Sequence, residues 1–214
     1  MGDTYWGLHA PLAALVRQAG VRVAVETGTY FGSGTIQLSA MFDRVFTVDI
    51  GESRILALES LYNDTLGNVE FIVGDSGNVL RGVCSKIDEA ALFVLDAHWF
   101  PGPGMSESSG SQCPLDSELD VLRDTKVAQC GSYVFIDDAD MLLRSLPDGF
   151  RDEDFPTIVN VVDRLRDIGF KYIDVCDDVI IAGPGGLADL EREYLQLRSR
   201  LGRPDAKSLG IPFG

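Results

Sequence analysis

The chain has 214 residues and a formal net charge of −15, with 33 Asp and Glu against 18 Lys and Arg. This balance excludes a nucleic-acid surface, which needs clustered cations for phosphate. A hydrophobic content of 45%, without an apolar run near the roughly 20 residues of a membrane span, reads as one globular domain rather than a membrane protein. The start of the chain shows no secretory leader and no myristoylation signal. Cys84, Cys113, Cys130 and Cys176 form no CxxC pair, which suggests reduced thiols and a cytoplasmic protein. With only His9 and His98 to join them, a zinc site is not expected.

A first helix is expected over Leu12–Gln18, behind an arm carrying Tyr5, Trp6 and His9. Short apolar runs then alternate with helical stretches. The strands are Val21–Glu26, Arg44–Val48, Val69–Val73, Ala91–Leu95, Tyr133–Ile136, Tyr172–Val175 and Val179–Ala182. The helices between them are Thr35–Phe42, Glu52–Tyr62, Asn78–Lys86, Leu115–Asp124 and Thr157–Ile168. The alternation predicts an α/β fold, a mostly parallel seven-stranded sheet with helices on both faces. The last two strands are too close in sequence for a crossover and must form an antiparallel hairpin. A helix over Leu187–Leu201 carries Leu187, Leu190, Tyr194, Leu197 and Leu201 at helical spacing, a stripe for packing or for a homodimer. The layout is thus an arm and helix (1–20), a core (21–185) and a helical tail (186–214). Two irregular segments, Phe100–Gln112 and Arg144–Phe155, follow the fourth and fifth strands. Both leave the carboxyl edge of the sheet, where open α/β sheets bind ligands, so both are lid candidates.

The stretch "VAVETGTYFGSGT", Val23–Thr35, is a strand, a glycine turn and a helix start. Its glycines at 28, 32 and 34 do not match the dinucleotide pattern GxGxxG. No Lys precedes Lys86, so a P-loop is absent. With both phosphate readings gone, Glu26 becomes informative, because a carboxylate there repels phosphate and pairs with an ammonium. Asp49 ends the next strand about 20 residues after the glycines, as a ribose-binding acid does. Asp75 and Ser76 stand at the matching place one strand on. A ligand with an ammonium, a ribose and a base but no phosphate fits S-adenosylmethionine.

"ETGTYFGSGT" resembles motif I (E-x-G-x-x-x-G-x-G) of class I methyltransferases, in the form of catechol-type and macrocin-type O-methyltransferases. "FTVDI", "FIVGDS", "LFVLDAHW" and "YVFIDDAD" follow in that family's order, so the resemblance spans roughly Val21 to Val175. The chain is also similar to an uncharacterised bacterial group with VETGTY, GDS, LDGH-like, PLxxEL and IDDA motifs. The resemblance implies a Rossmann-like methyltransferase fold. It implies a cofactor set of Glu26, Gly28, Thr29, Tyr30, Gly32, Gly34, Thr35, Asp49, Ile50, Gly74, Asp75, Ser76 and Asp96. Glu26 and the backbone near Gly28 and Tyr30 would face the methionine moiety, Asp49 the ribose, and Asp75 with Ser76 the adenine.

Asp96 ends the fourth strand and Asp137–Asp138 end the fifth. Neighbouring parallel strands lie about 4.8 Å apart, so these carboxylates converge and repel unless a cation joins them. Oxygen ligands suit Mg²⁺, or Ca²⁺ or Mn²⁺. In the resembled family such a metal grips two hydroxyls of the acceptor. The other reading of Asp137 and Asp138 is capping of the next turn. His98 departs from the family pattern. It is expected as a general base with Asp96, as a further ligand, or as a residue hydrogen-bonded to a loop carbonyl. Glu118 is read as an acid favouring a helix start rather than facing the pocket, and Cys113 as a buried thiol rather than a nucleophile. The expected function is methyl transfer to oxygen on a small hydroxylated acceptor, a sugar or natural product. The alternative is a cofactor-binding protein without turnover. NAD-dependent oxidation is disfavoured by the glycine spacing.

Overall fold

Seven short runs pair into one sheet in the order β3-β2-β1-β4-β5-β7-β6. The strands are β1 Val23–Thr27, β2 Arg44–Asp49, β3 Val69–Val73, β4 Ala91–Leu95, β5 Tyr133–Ile136, β6 Tyr172–Cys176 and β7 Val179–Gly183. The computed structural model describes residues 9–62, 64–100, 110–143, 145–176, 178–184 and 196. The arm with Tyr5 and Trp6 and the predicted helix over Leu187–Leu201 lie outside the described residues.

β1 to β5 pair in parallel, and β7 runs antiparallel to both β5 and β6. The last strand therefore inserts between its two neighbours, and the connection of residues 177–178 is too short for anything but a hairpin. Every described residue of β1, β4, β5 and β7 is buried, as expected of strands covered on both faces. At the edge, β3 is only half-buried.

The helices are α1 His9–Gln18, α2 Ser33–Met41, α3 Glu52–Tyr62, α4 Ser76–Cys84, α5 Leu115–Thr125 and α6 Ile158–Ile168. Leu12, Val16 and Leu38 of α1 and α2 pack on one face of the sheet against Ala24, Leu92, Val94 and Phe135. Leu80, Leu119, Leu122 and Leu165 of α4 to α6 pack on the other face against Val25, Phe93 and Val134. In α6, Val161, Leu165 and Ile168 repeat at helical spacing, and the Thr157 hydroxyl accepts from the Asn160 N–H at 3.3 Å to cap it. Both α2 and α4 start two residues earlier than the periodicity predicts. Gly32, at φ 79°, turns the chain directly into α2, and extended Asp75 leads directly into α4. Among the described residues no helix is long and apolar enough to cross a membrane.

From β1 the chain builds outward through β2 and β3, then returns to β4 on the other side of β1. The strand order reverses between β1 and β4, which opens a crevice at their carboxyl ends. Gly28 sits there at φ 88°, and a Cβ on it would lie 2.0 Å from the Asp96 carbonyl oxygen. Gly28→Ala should lower stability by more than about 2 kcal/mol, because backbone rather than a movable side chain occupies the space. Denaturant unfolding of the variant checks this, and a midpoint within error of wild type would refute it.

Candidate active site

The crevice is a cavity of about 320 Å³ over the tips of β1 to β4. Glu26, Gly28, Thr29, Tyr30, Gly34, Asp49, Ile50, Gly74, Asp75, Ser76, Asp96, His98 and Asp138 of the predicted set line it. Gly32, Thr35 and Asp137 do not. The lining also includes Phe31, Ser33, Val48, Ala97 and Pro114, which the sequence reading missed, and Phe100 and Ser111 of the first lid candidate. Most of these adjoin a predicted residue, and adjacency at a strand tip was the available signal.

Glu26 is 2% exposed and sits inside a cage of threonines. Its Oε2 accepts from Thr35 Oγ1 at 2.5 Å and from Thr47 Oγ1 at 2.7 Å, and Thr29 Oγ1 lies 2.6 Å from Thr47 Oγ1. Burial pushes its carboxyl up to about 7, against the pull of the Thr35 and Thr47 hydroxyls. Among the described residues Oε1 takes no hydrogen bond, so the group keeps one open acceptor in a cavity-lining residue. Thr35 thus belongs to the site as support for Glu26. Gly32 acts by conformation, as the left-handed residue that starts α2.

Asp49 is 8% exposed and organises the turns around it. Its Oδ2 accepts from the Tyr30 N–H at 2.8 Å. Its Oδ1 accepts from the Gly51 N–H at 2.7 Å and from Arg54 Nη2 at 2.8 Å. The first of these bonds holds Tyr30 at φ 46°, a left-handed conformation that non-glycine residues seldom adopt. Tyr30 and Phe31 stack with ring centroids 4.1 Å apart, and Phe31 is 58% and Phe100 51% exposed at the cavity mouth.

His98 lies between two carboxylates. Its Nδ1 is 3.2 Å from Asp96 Oδ1 and its Nε2 is 2.9 Å from Asp138 Oδ2. Burial alone would lower its pKa, but hydrogen bonds and charge from Asp138 and Asp96 override it and push His98 up to about 10. Burial raises the Asp96 carboxyl, against the hydrogen bond from His98. Both ring nitrogens of His98, expected as a general base, face carboxylate oxygens, an arrangement that favours the charged ring. Asp137 and Asp138 both act on the Asp96 carboxyl by their charge, from different positions. Asp137 continues the ladder, its N–H donating to the Leu95 carbonyl at 3.1 Å. Asp137 lines a smaller chamber together with Asp96, His98 and Asp138, while Asp138 turns left-handed at φ 54°, meets His98 and also lines the large cavity. A second group, Asp138, Asp140 and Asp178, lies beside the first, where the Asp140 N–H donates to Asp178 Oδ1 at 2.7 Å.

The smaller chamber, about 20 Å³, lies behind Asp96 and is lined also by Glu118, Cys113, Met141 and Phe155. Glu118 stands in the first turn of α5, as expected of a helix-start acid, and is also 1% exposed and lines this chamber. Burial pushes its carboxyl up to about 7. Burial also pushes the Cys113 thiol up to about 12 and keeps it neutral. The described ends of the two lid candidates are tied together. The Gln112 N–H donates to Asp154 Oδ2 at 2.8 Å, and Gln112 Oε1 accepts from the Arg151 N–H at 2.7 Å. Residues 101–109 lie outside the described residues.

Folding raises the His98 pKa above its ordinary 6.5, so His98 adds stability that is full below about pH 6.5 and is lost as pH rises toward about 10. The melting temperature of His98→Asn should therefore converge on wild type across that window. A constant difference between pH 6.5 and 10 would remove the imidazolium clamp.

No protein-family model matches the chain, and no curated protein matches it in sequence. Solved structures do match in fold. An O-methyltransferase from Bacillus cereus in complex with S-adenosylhomocysteine superposes with a TM-score of 0.58 at 15% identity, covering 86% of this chain and 81% of that one. A Streptococcus mutans protein assigned as a methyltransferase, also in complex with S-adenosylhomocysteine, gives 0.52 at 15% identity over 86% and 99% of the two chains. A Staphylococcus aureus protein assigned as a caffeoyl-CoA O-methyltransferase gives 0.52 at 15% identity over 87% and 85%. The fold is the Rossmann-like fold of these methyltransferases.

Proposed function

We propose that the chain is an S-adenosylmethionine-dependent methyltransferase acting on an oxygen of a small hydroxylated acceptor. The observation that carries this reading is the row of acidic strand tips along one cavity: Glu26, Asp49, Asp75 and Asp96, from β1, β2, the turn after β3 and the turn after β4. The fold shared with structures holding S-adenosylhomocysteine supports it. S-adenosylmethionine would supply a methyl group on a sulfonium. Glu26, with one oxygen uncommitted, suits its ammonium. Asp49 Oδ2 carries one hydrogen bond and keeps a lone pair for a ribose hydroxyl. Among the described residues the lining offers carboxylates and His98 but no Lys or Arg, which favours a cationic ligand over a phosphate.

The acceptor would enter past Tyr30, Phe31 and Phe100, whose exposed rings suit an acceptor with an apolar portion rather than a bare sugar. Asp96, raised by burial and held through Oδ1 by His98, keeps its second oxygen for the acceptor hydroxyl proton. Asp96 would take that proton, and the bound cofactor would supply the methyl group. His98 fixes Asp96 and offsets its charge.

A divalent ion has a donor set here. Ligand atoms of Asp96, His98 and Asp138 lie within 4.8 Å of one another, which fits Mn²⁺ or Mg²⁺ once His98 gives up a proton. The ion would supply acidification of a bound hydroxyl. Metal binding should then release about one proton per ion near neutral pH. Calorimetry in buffers of different ionisation enthalpy measures this, and binding without proton release would exclude His98 as a ligand.

One observation favours a second reading, a cofactor-binding protein without turnover: both His98 nitrogens are already engaged. Titration with S-adenosylhomocysteine tests the shared first step, and no heat with no thermal shift at millimolar ligand would sink both. Methyl transfer to oxygen in a screen of labelled acceptors separates them. Asp96→Asn should lower turnover by at least about a hundredfold with nearly unchanged S-adenosylhomocysteine affinity. Equal loss of binding would move Asp96 from chemistry to cofactor contact.

A further inference from the structure

Arg54 is the third residue of α3, so its cation sits near the helix N-terminus, where the dipole disfavours positive charge. The Asp49 carboxylate at the tip of β2 holds it there. Arg54 Nη2 donates to Asp49 Oδ1 at 2.8 Å, and the pair is shielded, with 16% and 7% of the two side chains exposed. The turn between them is shaped for this reach. A Cβ on Gly51 would lie 2.3 Å from Arg54 Nη2, so any side chain at this position would push the guanidinium aside. The Gly51 N–H donates to the same Oδ1 at 2.7 Å.

A carboxylate offers about two acceptor places on each oxygen. Both places on Asp49 Oδ1 are filled, by Arg54 and by Gly51. Among the described residues Oδ2 accepts only the Tyr30 N–H, at 2.8 Å, so a single place is left on the whole group. Asp49 lines the large cavity, and a ribose would bring two neighbouring hydroxyls to it. We propose that Arg54 is a specificity-determining residue that makes ribose recognition one-sided: Asp49 accepts one hydroxyl through Oδ2, and the other hydroxyl adds little to binding. This rests on the methyltransferase reading, in which Asp49 faces the ribose of the cofactor. Arg54 acts through Asp49, as a positioning residue that sets how many donors the carboxylate can take.

The test uses the full chain at neutral pH. S-adenosylhomocysteine and the two analogues that each lack one ribose hydroxyl are titrated by calorimetry into wild type, Arg54→Met and Gly51→Ala. In wild type one analogue should bind at least about tenfold more weakly than the parent, the loss of a hydrogen bond to a charged acceptor, and the other within about threefold of it. Arg54→Met opens a place on Oδ1, so the second hydroxyl should gain a partner and the two analogues should come within about threefold of each other. Gly51→Ala displaces the guanidinium but keeps its charge, and should narrow the gap in the same way. The wild-type comparison decides even where a variant does not fold. The inference is overturned if wild type weakens equally with both analogues, or with neither. It is also overturned if the gap persists in folded Arg54→Met, because the ion pair then serves stability alone. Failure of wild type to bind S-adenosylhomocysteine is a different result, which removes the methyltransferase reading itself.

Discussion

The turn after β1 passes in contact with the turn after β4, and the site depends on that approach. Gly28 leaves no room for a side chain against the Asp96 carbonyl. Its N–H donates instead to the Val48 carbonyl at 2.8 Å, and the Asp96 N–H donates to the Thr27 carbonyl at 3.1 Å. The tips of β1, β2 and β4 are thereby laced together by backbone. Glu26, Asp49 and Asp96 follow from that lacing, each held by a strand end rather than by a free loop. A strand tip fixes a carboxylate more firmly than a loop does, because its backbone groups are already committed to the ladder.

So many acids in one crevice would repel one another if all were charged and bare. The protein handles each differently. Glu26 is buried among threonine hydroxyls and titrates near neutrality. Asp49 carries Arg54 and two backbone N–H groups. Asp96 and Asp138 share His98 and favour its charged form. Glu118 is withdrawn from water behind Ser76. Arg54 thus backs Asp49 and His98 backs Asp96 and Asp138, while Glu26 relies on hydroxyls and burial. The chain-wide charge of −15 agrees with a ligand that is cationic or neutral.

Much of the layout was legible in the sequence for a plain reason. Two-sided burial makes central strands continuously apolar, and runs such as Ala91–Leu95 and Tyr133–Ile136 kept their bounds. Helix starts were less legible, because α2 and α4 begin at Ser33 and Ser76 on backbone conformation, without a side-chain cap to advertise them. The insertion of β7 beside β5 carries no local signature, since both neighbours are antiparallel to it and hairpin length does not say which edge is taken.

The sequence by itself carried the case for the proposed kind of ligand: glycine spacing matches no phosphate motif, and acids stand at successive strand ends. It also determined which tips could meet, because strand order sets residue type at each tip. Only the tertiary structure decided how those groups share protons. His98 looked like a neutral-range base because one residue type has one ordinary pKa. Its real state follows from Asp96 and Asp138, which lie 2 and 40 positions away in number but on either side of the ring in space. Glu118 reads in sequence as an acid at a helix start, and only the packing of α5 shows it enclosed. Burial and partner choice are properties of packing, and no run of neighbouring residues encodes them.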